Sequence, residues 1–109
     1  MMKAVKISAV QVVAMLLALS GGVVQAADGA GLYKTKTCFT CHGQDGKTPI
    51  MPGYPKIAGQ DMEYTLQQMK DIKSGARSNG QSAAMKGVMH LVNDEEMAVL
   101  AEYISTMAP

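Results

Sequence analysis

The sequence has 109 residues, 48% hydrophobic and 17% charged, with ten Lys or Arg against nine Asp or Glu and a formal net charge of +1. That length accommodates one domain and excludes two. Charges are interspersed, Trp is absent and Phe occurs once, which excludes a disordered tail and a basic, aromatic-rich nucleic-acid-binding module.

Residues 1–26 read as an export signal. Lys3 and Lys6 form a positive start, Val10 to Leu19 is apolar apart from Gln11, and Val24-Gln25-Ala26 offers compact residues at a cleavage point. A membrane anchor is the competing reading, but a spanning helix needs about 20 predominantly apolar residues, and Ser8, Gln11, Ser20, Gly21 and Gly22 interrupt this stretch. Cleavage near Ala26 and a periplasmic location are therefore expected, with residues 27–109 as the mature domain and no stable membrane insertion. Without Lys3 and Lys6, eight basic residues face nine acidic ones, so the mature chain is close to −1. Only 83 residues then remain, a size at which a hydrophobic core alone supplies few kcal/mol and a further staple is common.

Along the mature chain the first predicted helix starts near Asp28, a candidate N-cap, and runs up to Cys38-Phe39-Thr40-Cys41-His42. These are the only two cysteines. In an exported chain a cysteine pair first suggests a disulfide, but the adjacent histidine changes that reading. Two thiols three positions apart can each add to one vinyl group of a haem, while the next residue directs its imidazole at the iron. C-x-x-C-H is the attachment spacing of a c-type haem. A thiol redox site would sit in a strand-helix context, and zinc would want four ligands where only His90 remains to supplement the cluster. One haem c, covalent through Cys38 and Cys41, is the expected cofactor.

A loop from Gly43 to Gly59 follows, carrying Pro49, Pro52 and Pro55 with Gly46 and Gly53 as turn signals. A second helix begins after Gly59 with Asp61 as cap. Met62, Leu66, Met69 and Ile72 recur at helical spacing up to Gly75, a candidate terminator. Ala76 to Ala84 reads as a small, polar loop. The last helix opens at Asn93 with Glu96 three residues on, a capping-box pattern, and carries Met97, Leu100, Ile104 and Met107 along one face. The pattern is all-α, with no strand signal and no repeat.

His42 is the candidate proximal ligand to iron. A ligating imidazole usually donates its other N–H to an oxygen, and Pro55, whose ring stiffens the backbone around its carbonyl, is the candidate acceptor. Ile57 would then press on the haem face. The alternative for Pro55 is a purely loop-shaping role. On the distal side, Met62, Met69, Met97 and Met107 fall on helical stripes, where packing is the ordinary role, and Met51 lies between Ile50 and Pro52 close to the attachment turn. Met85 and Met89 remain, four residues apart, with Met85 following directly on the small-residue segment. His90 is the third candidate, although a lone histidine in a small domain is more often on the surface. Arg77, just beyond the second helix, is suited to a bidentate pair with a haem propionate. Lys47, Lys56 and Lys86 are the basic groups nearest the haem edge in sequence, diluted by Asp45.

Gly29 and Tyr33 ahead of Cys38 to His42, then Tyr54-Pro55-Lys56-Ile57-Ala58-Gly59-Gln60, then Gln68-Met69-Lys70-Asp71-Ile72-Lys73-Ser74-Gly75, and finally Leu100-Ala101-Glu102-Tyr103-Ile104, resemble a small class I c-type cytochrome. Within that class the chain is most similar to one haem unit of the two-haem periplasmic cytochromes, but it carries a single C-x-x-C-H. The resemblance implies about three to five short helices wrapped around one haem. It also implies that the first and last helices cross, with Gly29 permitting close approach and Tyr33, Leu100 and Tyr103 packing around the crossing without chemistry of their own. It places Pro55 on His42, and its spacing favours Met85, seven residues before Val92, over Met89.

Ligation by His42 and Met85 fills both axial positions and raises the reduction potential relative to other ligand pairs. The expected function is a one-electron carrier between exported or membrane redox proteins, not an enzyme. A fixed subunit or homodimeric component of a larger redox enzyme is the alternative. A ligand-binding or peroxidatic protein with an open sixth site is the second alternative. Redox donor and acceptor proteins are the expected partners, and the chain is a monomer or homodimer.

Overall fold

The computed structural model describes residues 28–109; the expected signal segment, residues 1–26, lies outside them. Among the described residues there are five helices: α1 (Gly29–Thr35), α2 (Cys38–His42), α3 (Met62–Ser74), α4 (Ser82–Met89) and α5 (Asp94–Thr106). None is long and apolar enough to cross a membrane.

Local chemistry starts three of these helices where the sequence indicates. The Asp28 carboxylate accepts from the Gly31 amide and the Asp61 carboxylate from the Tyr64 amide. Asn93 and Glu96 form a reciprocal capping box on α5, and Asp94, Glu95 and Glu96 all lie in the first turn, where negative charge complements the helix dipole. Gly75 ends α3 in the left-handed region, φ 91°, a conformation that costs little without a Cβ.

The crossing of α1 and α5 depends on Gly29. A Cβ there would stand 2.5 Å from the Tyr103 Cβ and 3.2 Å from the Val99 carbonyl oxygen. Tyr33 packs beside the crossing with its ring centroid 5.7 Å from that of Tyr103. Met97, Leu100, Ala101 and Ile104 of α5 are buried against Met69 and Ile72 of α3 and Met89 of α4, and this apolar stack is the core.

Two segments differ from the sequence expectation. The local pattern marks three helices, and the structure has five, within the three to five that the resemblance implies, because the attachment turn is itself a short helix and α4 begins at Ser82, inside the segment read as a loop to Ala84. No side chain caps α4; burial of Met89 and partial burial of Met85 and Val88 hold it, and packing commonly outweighs local propensity. Met62, expected on the apolar stripe of α3, is 43% exposed, since it sits in the first turn, beyond the reach of α5.

Candidate haem site

Thr37 precedes the attachment helix with φ 63°, the only non-glycine residue at positive φ among those described. This left-handed residue breaks α1 from α2 and starts the short helix that carries Cys38, Cys41 and His42. The Tyr33 hydroxyl donates to the carbonyl of Gly43 at 2.8 Å, which fixes the far end of that helix. The resemblance assigns Tyr33 only a packing role at the crossing. It is 2% exposed, and burial, foremost, pushes its phenol up to about 12. The tyrosine spacing carries no signal for this bond, which forms only when the loop folds back.

His42 is buried, and its Nδ1 lies 2.9 Å from the Pro55 carbonyl oxygen. A carbonyl only accepts, so Nδ1 carries the hydrogen and, in the neutral ring, Nε2 keeps its lone pair. Burial pushes the imidazole below its usual value, and the bond to Pro55 offsets this in part. The side chain is thus held in its neutral form, with the Nε2 lone pair free. Further bonds fasten the intervening loop: Ile50 N–H to Cys41 C=O, Ile57 and Ala58 N–H to Gly46 C=O, and Gly59 N–H to Ile104 C=O.

A cavity of about 310 Å³ opens beside this wall, within the range of small-molecule and cofactor sites, roughly 300–1,000 Å³. Cys38, Cys41, His42 and Ile57 line one part of it, Met69 and Ile72 of α3 another, and Met85, Val88 and Met89 of α4 another. The sequence-predicted residues Cys38, Cys41, His42, Pro55, Ile57, Arg77 and Met85 all reach this one space. Met89 lines it as well, and His90 does not; its side chain is exposed on the turn after α4. Arg77 Nη1 donates to Gln68 Oε1 at 2.9 Å; Gln68 is a lining residue that the sequence reading did not single out. Lys47 and Lys56 are exposed, whereas Lys86 is half-buried, with its ammonium 3.1 Å from where a Cβ of Gly75 would stand.

These residues fit a c-type haem: two thiols on one short helix, an imidazole with a free lone pair beside them, and an apolar cavity for the ring. A family model described as Cytochrome c matches residues 26–108. The chain belongs to the cytochrome c family. Among its relatives is a cytochrome c4 of Pseudomonas aeruginosa, 39% identical over 93 residues, which cover 84% of this chain and 44% of that protein. A protein named thiosulfate dehydrogenase electron acceptor, of Stutzerimonas stutzeri, is 36% identical over 103 residues, covering 88% of this chain and 45% of the relative. A cytochrome c-553 of Nitratidesulfovibrio vulgaris is 31% identical over 102 residues, covering 94% of this chain and 98% of that protein. The chain spans about half the length of the cytochrome c4 and electron-acceptor relatives. This cytochrome thus resembles one unit of a two-haem protein and carries one haem c on Cys38 and Cys41, the cofactor of haem-based electron transfer.

Proposed function

We propose that the protein is a one-electron carrier whose haem is ligated by His42 and Met85. The observation that carries this reading is the convergence of Cys38, Cys41, His42 and Met85 on one apolar cavity. The haem supplies a one-electron couple, and His/Met ligation raises its reduction potential. The chain's own residues hold and shield it. His42, aimed by the Pro55 carbonyl, would offer Nε2; Cys38 and Cys41 would form the thioethers; Ile57, on the cavity wall, would shield the group; Arg77, oriented by Gln68, keeps further N–H donors that would suit a propionate carboxylate.

Met85 is favoured over Met89 by burial. Met89 is 2% exposed and packed in the core, whereas Met85 is only half-buried at the cavity wall. A near-infrared sulfur-to-ferric-iron charge-transfer band tests the assignment: it is expected to vanish in Met85→Ala and to survive in Met89→Ala. Rapid stoichiometric carbon monoxide binding to the reduced wild type at neutral pH would instead identify an open sixth site.

Export to the periplasm, with a signal removed near Ala26, belongs to the same reading and is supported by the family match beginning at residue 26. The N-terminal sequence of the purified holoprotein should begin at or close to Ala27. The donor and acceptor are redox proteins of the same compartment. A second reading, one unit of a paired assembly, is favoured by the doubled length of the cytochrome c4 relatives. Sedimentation of the holoprotein separates the two, since a free carrier sediments as a monomer and a paired unit as a dimer.

A further inference from the structure

The turn between α4 and α5 is held in an unusual way. After α4, the amides of His90, Leu91 and Val92 close on the carbonyls of Lys86, Val88 and Met89. The carbonyls of Leu91 and Val92 receive no backbone N–H among the described residues. Each is taken by a lysine from a distant element. Lys36, at the end of α1, donates from Nζ to the Leu91 carbonyl at 2.9 Å, and Lys73, in the last turn of α3, donates from Nζ to the Val92 carbonyl at 2.5 Å. Lys36 Nζ also lies 3.4 Å from Glu96 Oε2, and the other oxygen of Glu96 accepts from the Asn93 amide. Glu96 is the acidic group facing this pair. Two ammonium groups therefore converge on adjacent peptide units, and the turn they seize is the C-terminal mooring of the helix that carries Met85 and Met89.

We propose that Lys73, assisted by Lys36, is a positioning residue for the sixth ligand: by tying the Val92 and Leu91 carbonyls to α3 and α1, the two lysines set where α4 presents Met85 to the cavity. The physical warrant is twofold. A hydrogen bond with a charged donor is roughly twice as strong as a neutral one, and α4 has no side-chain N-cap, so the ties at its other end add to the burial of Met89 in fixing where it lies. Lys73 lies 12 residues before Met85 in sequence and touches neither the cavity nor the attachment helix. Its effect reaches the iron only through the turn. The inference rests on the reading of Met85 as ligand.

The test uses ferric holoprotein and imidazole as the probe, titrated by absorbance, with the near-infrared charge-transfer band recorded in parallel. Imidazole competes with the methionine, so its apparent affinity rises in proportion to the fraction of molecules in which the sulfur is detached. Loss of one charge-assisted bond predicts an affinity about ten-fold higher in Lys73→Met. Lys73→Arg keeps a charged donor and should stay near the wild type, as should Lys70→Met on the exposed face of the same helix. An unchanged affinity in Lys73→Met, with the wild-type band present, overturns the positioning role and leaves the ligation intact. Absence of the band in the wild type overturns the ligation, and the positioning role with it. Should Lys73→Met fail to accumulate as holoprotein, Lys36→Met reads the second tie in the same assay, and no rise in affinity there overturns the proposal.

Discussion

The Tyr33 hydroxyl donates to the carbonyl of Gly43, the residue immediately after His42. A side chain of α1 thereby closes the helix that holds both cysteines and the histidine. The bond is part-buried, so its loss leaves a carbonyl with less access to solvent unsatisfied as well as a hydroxyl absent.

Tyr33→Phe is expected to lower stability by about 1 kcal/mol, or somewhat more, through the unsatisfied Gly43 carbonyl. It should also change the alkaline limb of the stability curve. The phenol is raised from 10.0 to about 12, burial being the largest cause, so the fold binds that proton more tightly than the unfolded chain does. This contribution is complete below pH 10 and is lost as pH rises through about 12. Denaturant titrations of wild type and variant between pH 9 and pH 12 should therefore converge at the alkaline end. Ultraviolet titration of the folded protein should lose its last phenolate step in the variant.

Two glycines in helices predict opposite outcomes. Gly29→Ala forces a Cβ to 2.5 Å from Tyr103 and should destabilise by about 1–3 kcal/mol, as overpacked sites do. Gly87 of α4 has nothing within 4 Å of the position its Cβ would take and no positive φ. Gly87→Ala should stabilise the protein by roughly 0.5–1 kcal/mol by helix propensity alone. Thermal melts of the two holoproteins check the contrast in sign.

Thr37→Gly should also stabilise. A β-branched residue at φ 63° pays roughly 1–2 kcal/mol for the left-handed conformation, and glycine removes that cost against an entropy loss of about 0.5–1 kcal/mol. A net gain of up to about 1 kcal/mol is expected, read by the denaturant midpoint at constant slope.

Variants of the two methionines of α4 should separate stability from the proposed ligation. Met89→Ala empties core volume and should cost about 2–5 kcal/mol, with the charge-transfer band retained. Met85→Ala should cost less in the reduced fold's packing, because the side chain is only half-buried, but should abolish the band and lower the midpoint potential. Melting curves and a potentiometric titration on the same samples measure both effects.

The parts of this fold legible in the sequence are those fixed by neighbours in the chain. C-x-x-C-H, the caps at Asp28 and Asp61, and the reciprocal pair Asn93 and Glu96 act over three or four residues, and each stands where its spacing placed it. The bond from His42 to Pro55 spans 13 residues; a ligating imidazole calls for a second-side acceptor, and the family resemblance points to Pro55 among the three prolines of the loop. The start of α4 was not. Ala83 and Ala84 suit a loop or a helix equally, Gln81 makes no cap bond, and the decision is made by packing of Met89 against residues of α3 and α5. Nor does any local pattern link Tyr33 to Gly43, Lys36 to Leu91 or Lys73 to Val92, since each is created by the packing of elements and not by adjacency.

The two sides of the cavity are built with unequal firmness. The histidine side is woven from backbone bonds, with the Cys41, Gly46 and Ile104 carbonyls engaged by the returning loop and both ends of the short attachment helix fixed. The methionine side is one eight-residue helix, moored by side chains. Under thermal or chemical stress the molecule should yield asymmetrically, its methionine-bearing wall swinging away first while the imidazole stays seated. Partial unfolding would then expose the iron to solvent on one face only.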